Sequence, residues 1–332
     1  VSDVVAVLLA LGGIALVVAL VSSPIETLGW WATWLNPYSE APPVALGDDR
    51  AEPDRPQAYI VFLAGIGSIS GDELVASEQR FLDQLEAALP HCRMVRDVFP
   101  YSPGGRSLLK GRRVFEWLWR RLERSRRSGR NTATFLINLR NLFQVLVAAD
   151  RRYGPVYGFG LAQTVIRHLA CAGYGQRRPV ILLGSSGGGQ ISVGAATYLA
   201  ATLDAPIGIV TVGGVMASDR GLDHLVRLTS LAGSKDGVYR LGRRGFPGRW
   251  PIAARSSWNR ARAEGRLVER VIGPMRHAGK GAYLDAEATT PAGVSFLDIT
   301  VAAVARAVDE TLAASAQPTP AHRPAMASSS TG

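Results

Sequence analysis

Lysine is almost missing from this chain of 332 residues: it occurs only at positions 110, 235 and 280, among 37 basic residues. The net charge of +10 is therefore carried almost wholly by arginine, a skew more simply explained by GC-rich coding than by a nucleic-acid role. No recognised nucleic-acid-binding motif accompanies the arginines, and no nucleic-acid partner is expected. Cysteine is scarcer still. Cys92 and Cys171 are too few for a disulfide scaffold, and no His/Cys/Asp group has the spacing of metal ligands, so neither metal nor cofactor is expected. Internal repeats are also missing. The five histidines, at 91, 168, 224, 277 and 322, can be sorted one by one.

Glycine, by contrast, is plentiful, and one cluster of it is informative. The apolar run 180–183 has the length and β-branched start of a strand covered on both faces, and 191–203 reads as a helix. Between them lies Gly184-Ser185-Ser186-Gly187-Gly188, a G-x-S-x-G match. Such a turn holds its serine in a strained conformation at the tip of a parallel strand, so the positions two before and two after must be small. Both are glycine. Ser186 is the candidate nucleophile; the bland alternative is a tight strand-to-helix connection without chemistry. A phosphate cradle would need Gly-Lys-Ser/Thr, and Gln190 stands near the lysine's place.

A nucleophilic serine needs a base. In the chain order nucleophile, acid, histidine, His91 and His168 come too early, and His322 lies in a tail rich in Pro, Ser and Ala. His224 precedes the strand-like run 225–231, at the end facing away from the catalytic edge. His277 remains, in the loop after 267–273, a plausible last strand. The acid is sought after the intervening strand, where Asp236 sits in a turn just beyond residue 231. Asp219, one strand earlier, is the alternative acid. Each has a structural reading too: a solvated loop for His277, a turn former for Asp236. An oxyanion hole needs two converging amides. Gly187 supplies one, and the glycine-flanked turn after 59–64 supplies the other through Ile66 or Gly67.

With these residues in hand, the chain resembles the α/β-hydrolase family of serine esterases and lipases over residues 58–314. The resemblance is carried by Gly65-Ile66-Gly67, the elbow 184–188, Asp236 in Gly-Ser-Lys-Asp-Gly and His277. It is most similar to uncharacterised bacterial members with an N-terminal membrane segment, on Ser-Gly-Gly-Gly-Gln (186–190) and Phe-Pro-Gly-Arg-Trp (246–250). The early loop departs from the family in lacking the histidine that lipases often place before their oxyanion glycines. The resemblance implies a serine hydrolase acting on carboxylic esters, lipid or acyl esters first. A catalytically silent module of the same fold, serving binding or scaffolding at the membrane, is the alternative.

Periodicity agrees independently. Strands near 58–64, 93–98, 179–184, 207–212, 225–231 and 268–273 alternate with helices near 72–89, 158–173, 188–203, 256–265 and 296–314, Asp72 capping the first helix and Gly173 stopping the second. Such alternation predicts an α/β fold with a mostly parallel, doubly wound sheet and helices on both faces. Residues 58–314 suffice for one buried core.

Residues 4–21 form 18 consecutive apolar or glycine positions, long enough to span a bilayer, and Trp30, Trp31, Trp34 and Tyr38 follow as a headgroup-layer cluster. One transmembrane helix within 1–25 is expected, with a cleaved signal peptide as the rival. Residues 26–57 read as an aromatic juxtamembrane segment and Pro-rich linker, and 315–332 as a disordered tail. The implied location is a single-pass membrane protein, the side of its catalytic domain undetermined. A helical insertion is expected at about 104–150. Its arginine- and tryptophan-rich part, 106–130, suits lipid contact, pocket cover or plain core packing.

Overall fold

The computed structural model describes residues 55–71, 74–102, 104–105, 131–175 and 177–316, with a few isolated positions before residue 15. The expected membrane segment at 4–21, the aromatic segment and most of the linker, the arginine-rich stretch 106–130 and the tail beyond 316 lie outside the described residues, as does Asp72, and the helix expected to start at Asp72 begins instead at Ala76 behind Val75, with no side-chain cap. Among the described residues, no helix is long and apolar enough to cross a membrane.

Six strands form one sheet: β1 (Ala58–Leu63), β2 (Cys92–Val95), β3 (Val180–Ser185), β4 (Ile207–Val212), β5 (Leu225–Gly233) and β6 (Leu267–Gly273), in spatial order β2-β1-β3-β4-β5-β6. Every pairing is parallel. The chain therefore returns each time through a crossover; the helices α1 (Ala76–Ala88), α2 (Asn131–Ala149), α3 (Gly154–Cys171), α4 (Gly188–Leu203), α5 (Gly237–Gly245) and α6 (Ser257–Ala263) lie along those returns, and α7 (Phe296–Ser315) follows the last strand.

The period of two along β1 explains the layering. Tyr59, Val61 and Leu63 face a core shared with α2, α3, α4 and Trp258 of α6, whereas Ile60 and Phe62 face α1 and α7 on the other side. All six β1 residues are buried, as are the first five of β3, which is why these strands read as continuous apolar runs. A strand buried on both faces stays in register, because a slip of one residue exchanges its two sets of side chains. The paired ends Leu63 with Gly184, Ser185 with Val212, and Gly233 with Gly273 thus bring the loops after β1, β3, β5 and β6 to one rim.

The expected strands and helices agree in place and order, with differences at their ends. Helix α3 begins four residues earlier than expected, because Pro155 fits the first turn, where its missing N–H costs nothing. Gly173 follows its end with φ +78. Helix α5 was not expected: three arginines and three glycines within nine residues obscure its pattern, and its start is set by Asp236, whose Oδ1 accepts from Tyr239 N. The described part of the expected insertion, α2, packs Ile137, Val145, Val147 and Ala148 into the core on the α3–α4 side.

Candidate active site

The turn after β3 is built by sterics. Ser186 has φ +50, a left-handed conformation that side chains rarely adopt. Its N–H donates to Val212 O at 3.0 Å, and its carbonyl accepts from Gly189 N and Val215 N, both at 3.1 Å, so three hydrogen bonds hold the strained residue. The flanking glycines are required. A Cβ on Gly184 would lie 2.8 Å from Gly188 C, and one on Gly188 would lie 2.3 Å from Leu63 O. The buried Gln190 adds a further tie, accepting from Ala217 N at 2.7 Å and holding the loop after β4 against the start of α4.

Three of the sequence-selected residues meet. Ser186 Oγ lies 2.8 Å from His277 Nε2, and His277 Nδ1 lies 2.9 and 3.1 Å from Asp236 Oδ2 and Oδ1. An ionised carboxylate only accepts, so Nδ1 carries the proton and Nε2 is left to accept from the serine hydroxyl. Asp219, the alternative acid, is not in this chain: its Oδ1 accepts from Gly221 N and caps a short 3-10 helix, Arg220–His224. That helix also contains His224.

The loop after β1 closes against the serine. A Cβ on Gly65 would lie 3.7 Å from Ser186 Cβ, and one on Gly187 would lie 3.0 Å from Ile66 Cγ2. Gly65 to Ser68 forms a turn through Ser68 N and Gly65 O. Gly187 directly precedes α4, so its amide stands at the positive end of a helix. Among the described residues, neither the Gly187 amide nor the Ile66 amide has a protein acceptor.

Two supporting residues escaped the sequence analysis. Tyr283, almost fully buried, donates to Asp236 Oδ2 at 2.7 Å and accepts from Gly233 N at 2.7 Å. The fully buried Asn141 of α2 donates through Nδ2 to Ile66 O and Ser68 O, both at 2.7 Å, and clamps the early loop. Tyr283 lies 47 positions from Asp236 and Asn141 lies 75 from Ile66, and neither carries a local motif.

Burial by itself pushes the Asp236 carboxyl up. The hydrogen bonds from His277, the Tyr239 amide and Tyr283 outweigh it and hold the group below the ordinary carboxylate value. Such a group stabilises the fold above its unfolded-state pKa of about 4, and the contribution is lost as pH falls through the lower native value. Tyr283→Phe should cost about 1–3 kcal/mol at neutral pH, because Gly233 N–H loses its acceptor and Asp236 a donor. It should also raise the native pKa of Asp236 and so shrink the loss of stability between neutral pH and about pH 3. Urea unfolding at both pH values measures this; parallel pH dependences for the two proteins would refute the role given to Tyr283.

No family profile and no curated protein matches the chain. Among solved structures it is similar to a dienelactone hydrolase-like promiscuous phosphotriesterase from metagenomic libraries, at 12% identity and a TM-score of 0.41, covering 77% of this chain and 87% of that one. It is also similar to a structure described as m3DLH, at 14% identity and a TM-score of 0.39, covering 79% and 88%. At those values the reading of the site rests on this chain's own geometry.

Proposed function

We propose that the protein is a serine hydrolase of the α/β-hydrolase type that cleaves carboxylic esters through an acyl-enzyme. The observation that carries the reading is the hydrogen-bonded chain from a strained Ser186 through His277 to the buried Asp236. Ser186 Oγ attacks the ester carbonyl carbon while its proton passes to His277 Nε2, and Asp236 stabilises the imidazolium. The negative charge on the former carbonyl oxygen is received by the amides of Gly187 and of Ile66 or Gly67. Collapse breaks the carbon–oxygen bond, and His277 returns its proton to the departing alcohol. His277 next takes a proton from water, whose oxygen attacks the acyl carbon, and returns that proton to Ser186 Oγ as the bond between Oγ and the acyl carbon breaks and the acid leaves.

A lipid or other acyl ester is the preferred substrate class, because the apolar run 4–21 and the aromatic residues behind it support attachment to a membrane. The direct test is a fluorophosphonate probe followed by mass spectrometry of the labelled peptide. Phosphonylation at Ser186 is the expected result; an intact protein that takes no label is a silent module.

Asn141 enters this reading as a positioning residue for the oxyanion loop. Asn141→Ala should lower kcat for a short acyl ester by roughly 10- to 100-fold with KM nearly unchanged, since the donor is displaced only from where charge develops. Wild-type kcat in this variant would remove the 66–67 loop from the oxyanion hole.

A further inference from the structure

The motif Phe-Pro-Gly-Arg-Trp at 246–250 has no part in the site above, yet it is built as deliberately. Pro247 opens a single 3-10 turn, Pro247–Arg249. A Cβ on Gly248 would lie 2.6 Å from Ser218 Cβ, so glycine is needed for the turn to approach. That approach buries Arg249, whose guanidinium stacks 3.8 Å above the Trp258 ring centroid and donates to Glu269 Oε1 at 2.9 Å and Met216 O at 3.3 Å. Trp250 is clamped through its indole N–H to Arg244 O at 2.9 Å, while nearly half of its surface remains exposed.

Together these residues wall an open cleft of about 530 Å³, of the size that takes small organic ligands. Arg240, Arg243 and Arg244 of α5 and Arg262 of α6 complete the lining. Five arginines therefore face one carboxylate, that of Glu269, and Arg249 already neutralises it. Four positive charges are left over. Among the described residues, none of those four guanidiniums forms an ion pair. Neighbouring arginines do find acids: Arg260 pairs with Asp223 and Arg266 with Glu264. Like charges gathered on one cleft repel each other, and a multiply charged anion relieves that repulsion; the planar guanidinium fork matches phosphate oxygens two at a time.

We infer that this cleft binds anionic phosphate, either a soluble oligophosphate or the clustered headgroups of an anionic lipid surface. Its floor reaches the catalytic rim through one residue. Tyr239 gives its N–H to Asp236 at 2.8 Å and its hydroxyl to Glu269 at 2.6 Å. The inference does not rest on the hydrolase reading, and Ser186→Ala should leave binding unchanged.

The test uses the full chain in detergent, with inorganic tripolyphosphate titrated calorimetrically at physiological ionic strength, and separately flotation with phosphatidylcholine vesicles with and without phosphatidylglycerol. Arg243→Gln/Arg244→Gln should weaken the anion-dependent binding at least tenfold, and adding Arg240→Gln and Arg262→Gln should abolish it, with melting temperatures not lowered, because these side chains are exposed and their mutual repulsion is relieved. Arg243→Lys/Arg244→Lys keeps the charge but not the fork and should fall between. Saturable tripolyphosphate binding with this ranking assigns the cleft to a soluble phosphate. Phosphatidylglycerol-dependent flotation with the same ranking, and no tripolyphosphate heat, assigns it to a headgroup. Binding by neither probe, binding indifferent to the glutamines, or lysines as good as arginines would overturn the inference.

Discussion

Ser186→Ala should lower kcat for a short acyl ester by about 10⁴- to 10⁶-fold and abolish fluorophosphonate labelling, while the protein stays folded. The size follows from the division of labour in the site. Without Oγ there is no covalent intermediate, and His277, held by Asp236, has only water to activate. The residual rate would come from binding and from the loop amides. Ser186→Gly separates chemistry from architecture. Ser186 sits at φ +50, which costs a residue with a side chain about 1–2 kcal/mol and glycine almost nothing. The glycine variant should therefore be equally inactive and more stable than wild type by about 1 kcal/mol, partly offset by its freer unfolded chain. Gain of stability with loss of activity at one residue marks a backbone strained for function. Persistent labelling or hydrolysis in Ser186→Ala would remove the nucleophile from this position and the proposed mechanism with it.

The largest loss of stability among substitutions in the elbow is expected at Gly188. A methyl group there would lie 2.3 Å from Leu63 O and 3.1 Å from Ala64 O, both backbone atoms. β1 cannot retreat, because it is hydrogen-bonded between β2 and β3. Gly188→Ala should cost about 3 kcal/mol, the upper end for overpacking, and should displace Ser186 enough to depress activity as well. Six residues on, in the same helix, a Cβ on Gly194 would meet nothing within 4 Å. Gly194→Ala should stabilise by about 0.5–1 kcal/mol, since alanine gives up less backbone entropy in a helix interior. Urea unfolding of the two variants side by side is decisive: equal effects would mean that the contact with β1 does not govern this glycine.

Much of this arrangement was legible before any coordinates. The buried strand, the turn and the following helix lie within a short stretch, and each local signal agrees with the next: an apolar run, two glycines at the required offsets, then small residues. Asp236 and His277 were reached by strand order alone, because parallel strands deliver the loops after them to one rim. Asp236 also turned out to cap α5, so its alternative reading as a turn residue was half correct. Position along the chain favoured Asp236 over Asp219, and the contact of Asp236 with His277 Nδ1 agrees, whereas Asp219 is engaged by Gly221 N.

What remained hidden shares one property. Tyr283, Asn141 and the Tyr239–Glu269–Arg249 group act through hydrogen bonds between elements far apart in the chain, and a buried tyrosine or asparagine leaves no periodic or spaced trace. Steric rules operate over a few residues, and alternation of strand and helix over a few tens, so the parallel α/β architecture, the elbow and the order of the site's members could be read along the chain. What supports Asp236 from behind, what clamps the loop after β1 and where arginines without an acid among the described residues gather depend on the packed chain. Hydrogen bonds and charge pairs reach only a few ångströms, and only the packed chain brings such partners that close.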